Sequence, residues 1–110
     1  MSARRIQNIL RAENFSSRFW GIMVRSRWPD GVEGLFFPDC RSVHTFFTFL
    51  NPDLVFLDKN GKILRIVSSA SAWRLYFGPS DCRDTLELPA GGAQRLGLRP
   101  GVAVQFSFLS

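Results

Sequence analysis

A chain of 110 residues with a 45% apolar share has room for one hydrophobic core and is too apolar for wholesale disorder. Its net charge of +5 rests on twelve arginines and two lysines, scattered along the chain rather than gathered in a block. Two cysteines, Cys40 and Cys82, exclude a disulfide scaffold, and no segment approaches the ~20 apolar residues of a membrane span.

Residues 4–12 can start a strand, because Ile6, Ile9 and Leu10 are β-compatible, but their alternation is poor. Asn14 then suits a helix N-cap. Phe15, Phe19, Ile22 and Met23 fall on one helical face, and Arg25 and Arg27 suit the negative end of the helix dipole. Trp28-Pro29-Asp30-Gly31 ends this helix, which spans about 14–27. Leu35-Phe36-Phe37 reads as a short buried strand, and residues 43–49 as another. Leu54–Leu57 is continuously apolar, as a central strand should be. Asp58-Lys59-Asn60-Gly61 is a turn, with Asn-Gly tolerating positive φ at both residues. Lys62–Val67 is its return strand.

Trp73–Pro79 reads as an aromatic-rich loop or irregular edge, and Thr85–Leu88 as a strand. A short helix over about 90–96 stops at Gly97, a natural C′ residue. Pro100-Gly101 turns the chain into Val102, Val104, Phe106 and Phe108, which alternate with Ala103, Gln105 and Ser107. Helices do not alternate with strands, so a doubly wound α/β fold is excluded. The expectation is a single domain over 1–110 of mainly β (α+β) class. It is a small, mostly antiparallel, partly closed β-barrel with one N-terminal helix and the short helix at 90–96.

The chemistry on offer is sparse. A nucleophilic thiolate needs an imidazole within hydrogen-bond reach, yet Cys40 and His44 lie about 13 Å apart on an extended strand. One histidine and two cysteines cannot close a tetrahedral zinc site without carboxylates, no C-x₂-C pair exists, and neither a metal nor a cofactor is expected. Asp53 and Asp58 are five apart and face opposite sides of a strand. Asp58 fits the hairpin turn, whereas a buried Asp53 needs a donor. Gly91-Gly92 lacks any phosphate-loop context. Trp73, Tyr76 and Phe77 beside Arg74 are harder to explain as core, and fit the rim of a ligand cleft or a partner interface.

Six stretches fall in order along the chain: F-W-G-I-M-V-R at 19–25, E-G-L-F-F at 33–37, C-R-S-V-H-T-F-F at 40–47, D-L-V-F-L-D-K-N-G-K-I-L at 53–64, L-E-L-P-A-G at 86–91 and R-L-G-L-R-P-G at 95–101. This series resembles the "domain of unknown function 192" family of bacteria and archaea, in the branch carrying C-R-S-V-H-T-F-F. The resemblance spans about residues 5–106. It implies a compact, mostly β fold of barrel type with a helix near the start, and no established reaction. Cys40, His44 and Thr45 match the family pattern. Relatives of this branch continue Met-Arg-Phe-Pro-Ile-Asp after V-H-T-F-F, where this chain has Thr48-Phe49-Leu50-Asn51-Pro52-Asp53. Phe49 thus stands in place of the basic residue, and a family site pairing that group with Asp53 lacks its partner here.

The expected function is that of a non-catalytic binding or accessory module. Its aromatic-rimmed pocket involves His44, Thr45, Asp53, Trp73 and Arg74, and its partner is a small molecule or a protein. One alternative is a hydrolase or thiol-dependent enzyme using Cys40 and His44, with Asp53 a third catalytic candidate. Another is a basic module for nucleic acid or a different acidic partner, although no nucleic-acid motif is present. The N-terminal residues lack the apolar run of a signal peptide, so a cytoplasmic location with reduced thiols is expected.

Overall fold

A computed structural model describes residues 3–11, 31–44, 51–71 and 73–109, with His44 described by its backbone alone. Their elements are β1 (Arg4–Arg11), β2 (Gly34–Phe37), β3 (Ser42–His44), β4 (Asp53–Leu57), β5 (Ile63–Val67), β6 (Leu75–Phe77), β7 (Asp84–Leu88), α1 (Gly92–Arg95) and β8 (Val104–Phe108). The helix expected over 14–27 lies outside the described residues, as does most of the strand expected over 43–49.

Six strands form one curled sheet in the order β5-β4-β7-β2-β1-β8, and β3 and β6 form a separate pair. The fold is mainly β, as the sequence indicates. Strand β1 runs parallel to both β2 and β8, while the other described pairings are antiparallel. The sheet partly closes where the edge strands β5 and β8 begin. Lys62 bridges Ala103, Ile63 N–H donates to the Val102 carbonyl at 2.8 Å, and Val104 N–H donates to Gly61 at 2.9 Å.

The poor alternation of β1 has a local cause. Ile6 and Ile9 are both buried, although an odd spacing in a regular strand sends side chains to opposite faces. The β1–β8 register slips between them and Asn8 adopts φ 59°, so a bulge returns Ile9 to the core.

Strand β4 is buried at all five positions because both faces of the sheet are covered there. Val55 and Leu57 join Ile6, Ile9, Leu86, Leu88 and Ala93 on the inner face. Leu54 and Phe56 join Ala70 and Cys82 on the outer face, under Val43 and Tyr76 of the β3–β6 pair. Each such large apolar side chain stabilises the fold by roughly 1.5–3 kcal/mol.

Asp58 organises the β4–β5 hairpin, its Oδ1 accepting from the N–H groups of Asn60 at 2.8 Å and Lys62 at 2.9 Å. Of the Asn-Gly pair only Gly61 has positive φ, at 79°, and the register shifts between Phe56 and Leu57. The turn is therefore a type I turn with a glycine bulge, rather than one with both residues left-handed. A Cβ at Gly61 would stand 2.8 Å from the Val104 carbonyl oxygen across the barrel seam. Gly61→Ala combines that clash with backbone strain and should cost about 2 kcal/mol. Urea denaturation would read this as a lower midpoint at unchanged slope.

Helix α1 is shorter than the expected 90–96. It ends as the sequence indicates, with Gly97 at φ 71° donating to Gln94 at 3.1 Å and Leu98 donating to Ala93 at 2.9 Å. Its N-cap, Gly91, offers no side-chain acceptor. Of the two readings of Trp73–Pro79, loop or irregular edge, the second holds, because Leu75–Phe77 is a strand paired antiparallel with Ser42–His44 in a two-stranded sheet. Its apolar residues appear unpatterned in sequence because Leu75 and Phe77 point outward while Tyr76 packs inward.

Candidate functional site

The β3–β6 pair lies on the outer face of β4, fixed by Val43 and Tyr76 packing against Leu54 and Phe56. The Tyr76 hydroxyl donates to the Ser71 carbonyl at 3.2 Å, so the inward side of the pair is held at two levels. Its outward side carries Trp73, Leu75 and Phe77, which are 56%, 57% and 59% exposed. Leu75 and Phe77, two apart on the extended β6, share one face, and Trp73, at φ 62°, stands just before it. The register sets Ser42 opposite Phe77 and His44 opposite Leu75. Arg41, Arg65 and Arg74 are exposed, and the Arg65 guanidinium donates to the Phe77 carbonyl at 2.9 Å. Trp73 and Arg74, singled out from sequence, thus occupy the β6 end of the stripe, and the His44 backbone lies on the neighbouring strand. Thr45 lies outside the described residues.

Asp53 is fully buried at the start of β4. Its Oδ1 accepts from the Ser69 N–H at 2.8 Å, and its Oδ2 accepts from the Ala93 N–H at 3.0 Å. The carboxylate therefore ties the loop leading into β6 to the first turn of α1 and supplies the cap that Gly91 lacks. Both oxygens are committed to backbone amides, so Asp53 positions the neighbouring segments.

The Cys40 thiol donates to the Ser42 carbonyl at 3.0 Å. Burial pushes this thiol up from its ordinary range, with partial relief from the Ser42 backbone. Burial likewise raises Cys82, whose Sγ donates to the Asp84 carbonyl at 3.4 Å. A raised thiol is a poor source of thiolate at neutral pH. Ser42–His44 is extended, so the chain between Ser42 and His44 runs away from Cys40. Among the described residues no group of three or more His, Cys, Asp or Glu could hold a metal.

Two residues on β7 carry no signal in the sequence. Thr85 is fully buried and its hydroxyl donates to the Cys40 carbonyl at 2.7 Å. Glu87 is half-buried, and desolvation of its carboxyl raises its pKa to about 7. In L-E-L-P a glutamate between leucines reads as an ordinary solvent-facing position, and only the cover over the outer sheet face reveals otherwise.

This architecture defines a small half-barrel β protein with an attached two-stranded sheet. The chain belongs to the family described as Uncharacterized ACR, domain of unknown function 192, whose model matches residues 2–106. No curated protein matches it. A protein of unknown function from Novosphingobium aromaticivorans DSM 12444 shares the fold at TM-score 0.64 and 22% identity, over 86% of this chain and 70% of that one. A Sinorhizobium meliloti 1021 protein, described as a candidate transcription regulator, is similar at TM-score 0.63 and 26% identity, over 88% of this chain and 76% of that one. No helix among the described residues is long and apolar enough to cross a membrane.

Proposed function

We propose that this protein is a small non-catalytic binding or accessory module whose contact surface is the outward face of the β3–β6 pair. One observation carries the reading: Leu75 and Phe77 on β6, and Trp73 just before it, are all more than half exposed. Leaving three large apolar side chains in water forgoes their burial, and such stripes mark contact sites. The exposed Arg41, Arg65 and Arg74 suit a partner that joins an apolar or aromatic body to an acidic group. A small molecule or a peptide segment of a protein both fit this description. His44 joins the proposed site through the β3 backbone, and Asp53 supports it by fixing the loop that leads into β6.

The thiol-enzyme alternative draws no support from Cys40, whose Sγ bonds to Ser42 and whose pKa burial raises. Nucleic acid as the acidic partner predicts binding that weakens steeply with salt. Thermal-shift screening of acidic aromatic fragments tests the proposal. Hits should bind the parent at least about tenfold more tightly than the Leu75→Ser/Phe77→Ser double variant, which alters only exposed side chains and should fold normally. Equal affinities would reject the face.

A further inference from the structure

Glu87 on β7 stands opposite Leu35 of β2 on one side and Leu54 of β4 on the other. Both leucines are fully buried. Directly opposed residues share a sheet face, so the carboxylate emerges at a seam between two apolar clusters. One holds Leu35 with Leu10, Val32 and Phe37, and the other holds Leu54 with Phe56, Ala70 and Cys82. Among the described residues no hydrogen bond or ion pair reaches the Glu87 carboxylate.

Among the described residues, its strand neighbours bring no positive charge. Neither β2 nor β4 places a charged residue opposite it, and Thr85, two residues away on the same face, is neutral and engaged with Cys40. The Cys40 thiol is the titratable neighbour, and the Glu87 charge adds to the burial that raises it. Desolvation alone accounts for the raised Glu87 pKa.

We infer that Glu87 anchors a subsite for an organic cation carried on an apolar body, an alkylammonium or alkylguanidinium group. A carboxylate desolvated by apolar neighbours is costly until a counter-charge pairs with it, and the apolar clusters on both sides suit an alkyl chain. A hard metal cation would need several oxygen ligands, and the described residues supply no such group. The cation could be a free amine or a Lys or Arg side chain of a protein partner. This subsite is separate from the β3–β6 face, so each can fail without the other.

The test is a carbon-13 NMR titration of the Glu87 carboxyl with n-butylammonium chloride at pH 8, with Nα-acetyl-lysine amide in parallel. Saturable binding is expected in the millimolar range of a small probe, with the Glu87 titration midpoint lowered by about one pH unit at saturation. Glu87→Gln, checked for folding by circular dichroism, should weaken binding about tenfold or more. Tighter binding of the lysine derivative would assign the subsite to a protein side chain, and the reverse to a free amine; either supports the inference. Three results would overturn it: no saturable response, equal binding by Glu87→Gln, or a midpoint near 4.5 without probe, since the chain would then already supply the counter-charge.

Discussion

Replacing Asp53 with alanine is expected to destabilise the fold by about 3–5 kcal/mol. The carboxylate is fully buried and accepts from two backbone amides of distant segments, Ser69 and Ala93. Hydrogen bonds to a charged acceptor contribute about 1.5–3 kcal/mol each. Alanine removes both and leaves the buried Ala93 N–H and the part-buried Ser69 N–H without this acceptor. It also removes the negative charge at the start of α1, whose own N-cap supplies no side-chain acceptor. Asp53→Asn keeps one carbonyl acceptor and the volume, so about half the loss is expected. Urea unfolding followed by circular dichroism checks both values. A loss below about 1 kcal/mol for Asp53→Ala would mean that the two amides find other acceptors.

Glu87→Gln should act in the opposite direction, and only above mildly acidic pH. The folded carboxyl has its pKa near 7 against an ordinary 4.5, so between these values the folded state holds a proton that the unfolded state has released. Stability therefore falls as pH rises through this window. The penalty is absent below pH 4.5 and complete above pH 7, where it reaches at most about 3 kcal/mol because the side chain is only half-buried. The glutamine variant has no charge to desolvate. It should match the parent near pH 4 and exceed it by up to about 3 kcal/mol at pH 8, with a flatter profile. Thermal unfolding at a series of pH values would show it, and parallel profiles for the two proteins would contradict the burial of this carboxyl.

Much of the barrel was legible along the chain because its strands obey local rules. Asp58 and Gly61 mark the hairpin, Gly97 stops α1, and Pro100-Gly101 turns the chain toward β8. What escaped depends on partners far away in sequence. The parallel pairing of β1 with β2 and β8 has no local signature, and its bulge at Asn8 disguises the period. Strand β6 has only three residues, and its exposed Leu75 and Phe77 imitate a loop until β3 pairs with it. The site was legible in part. Trp73 and Arg74 stood out as aromatic and basic residues beyond the core pattern. Asp53 stood out as an acidic residue entering a continuously apolar strand, and its two amide partners became visible only when the loop at Ser69 and the helix at Ala93 converged on it. Glu87 stayed hidden because strict alternation makes it look solvent-facing, whereas the outer face of β7 is covered.

Chemical-shift mapping tests the central claim most directly. A nitrogen-15-labelled chain titrated with the tightest acidic aromatic hit should show its largest amide shifts at residues 42–44 and 73–78, on β3 and on and beside β6. The Leu75→Ser/Phe77→Ser variant should show those shifts reduced at equal ligand concentration. Shifts confined to other surfaces, with residues 73–78 unmoved, would contradict the claim.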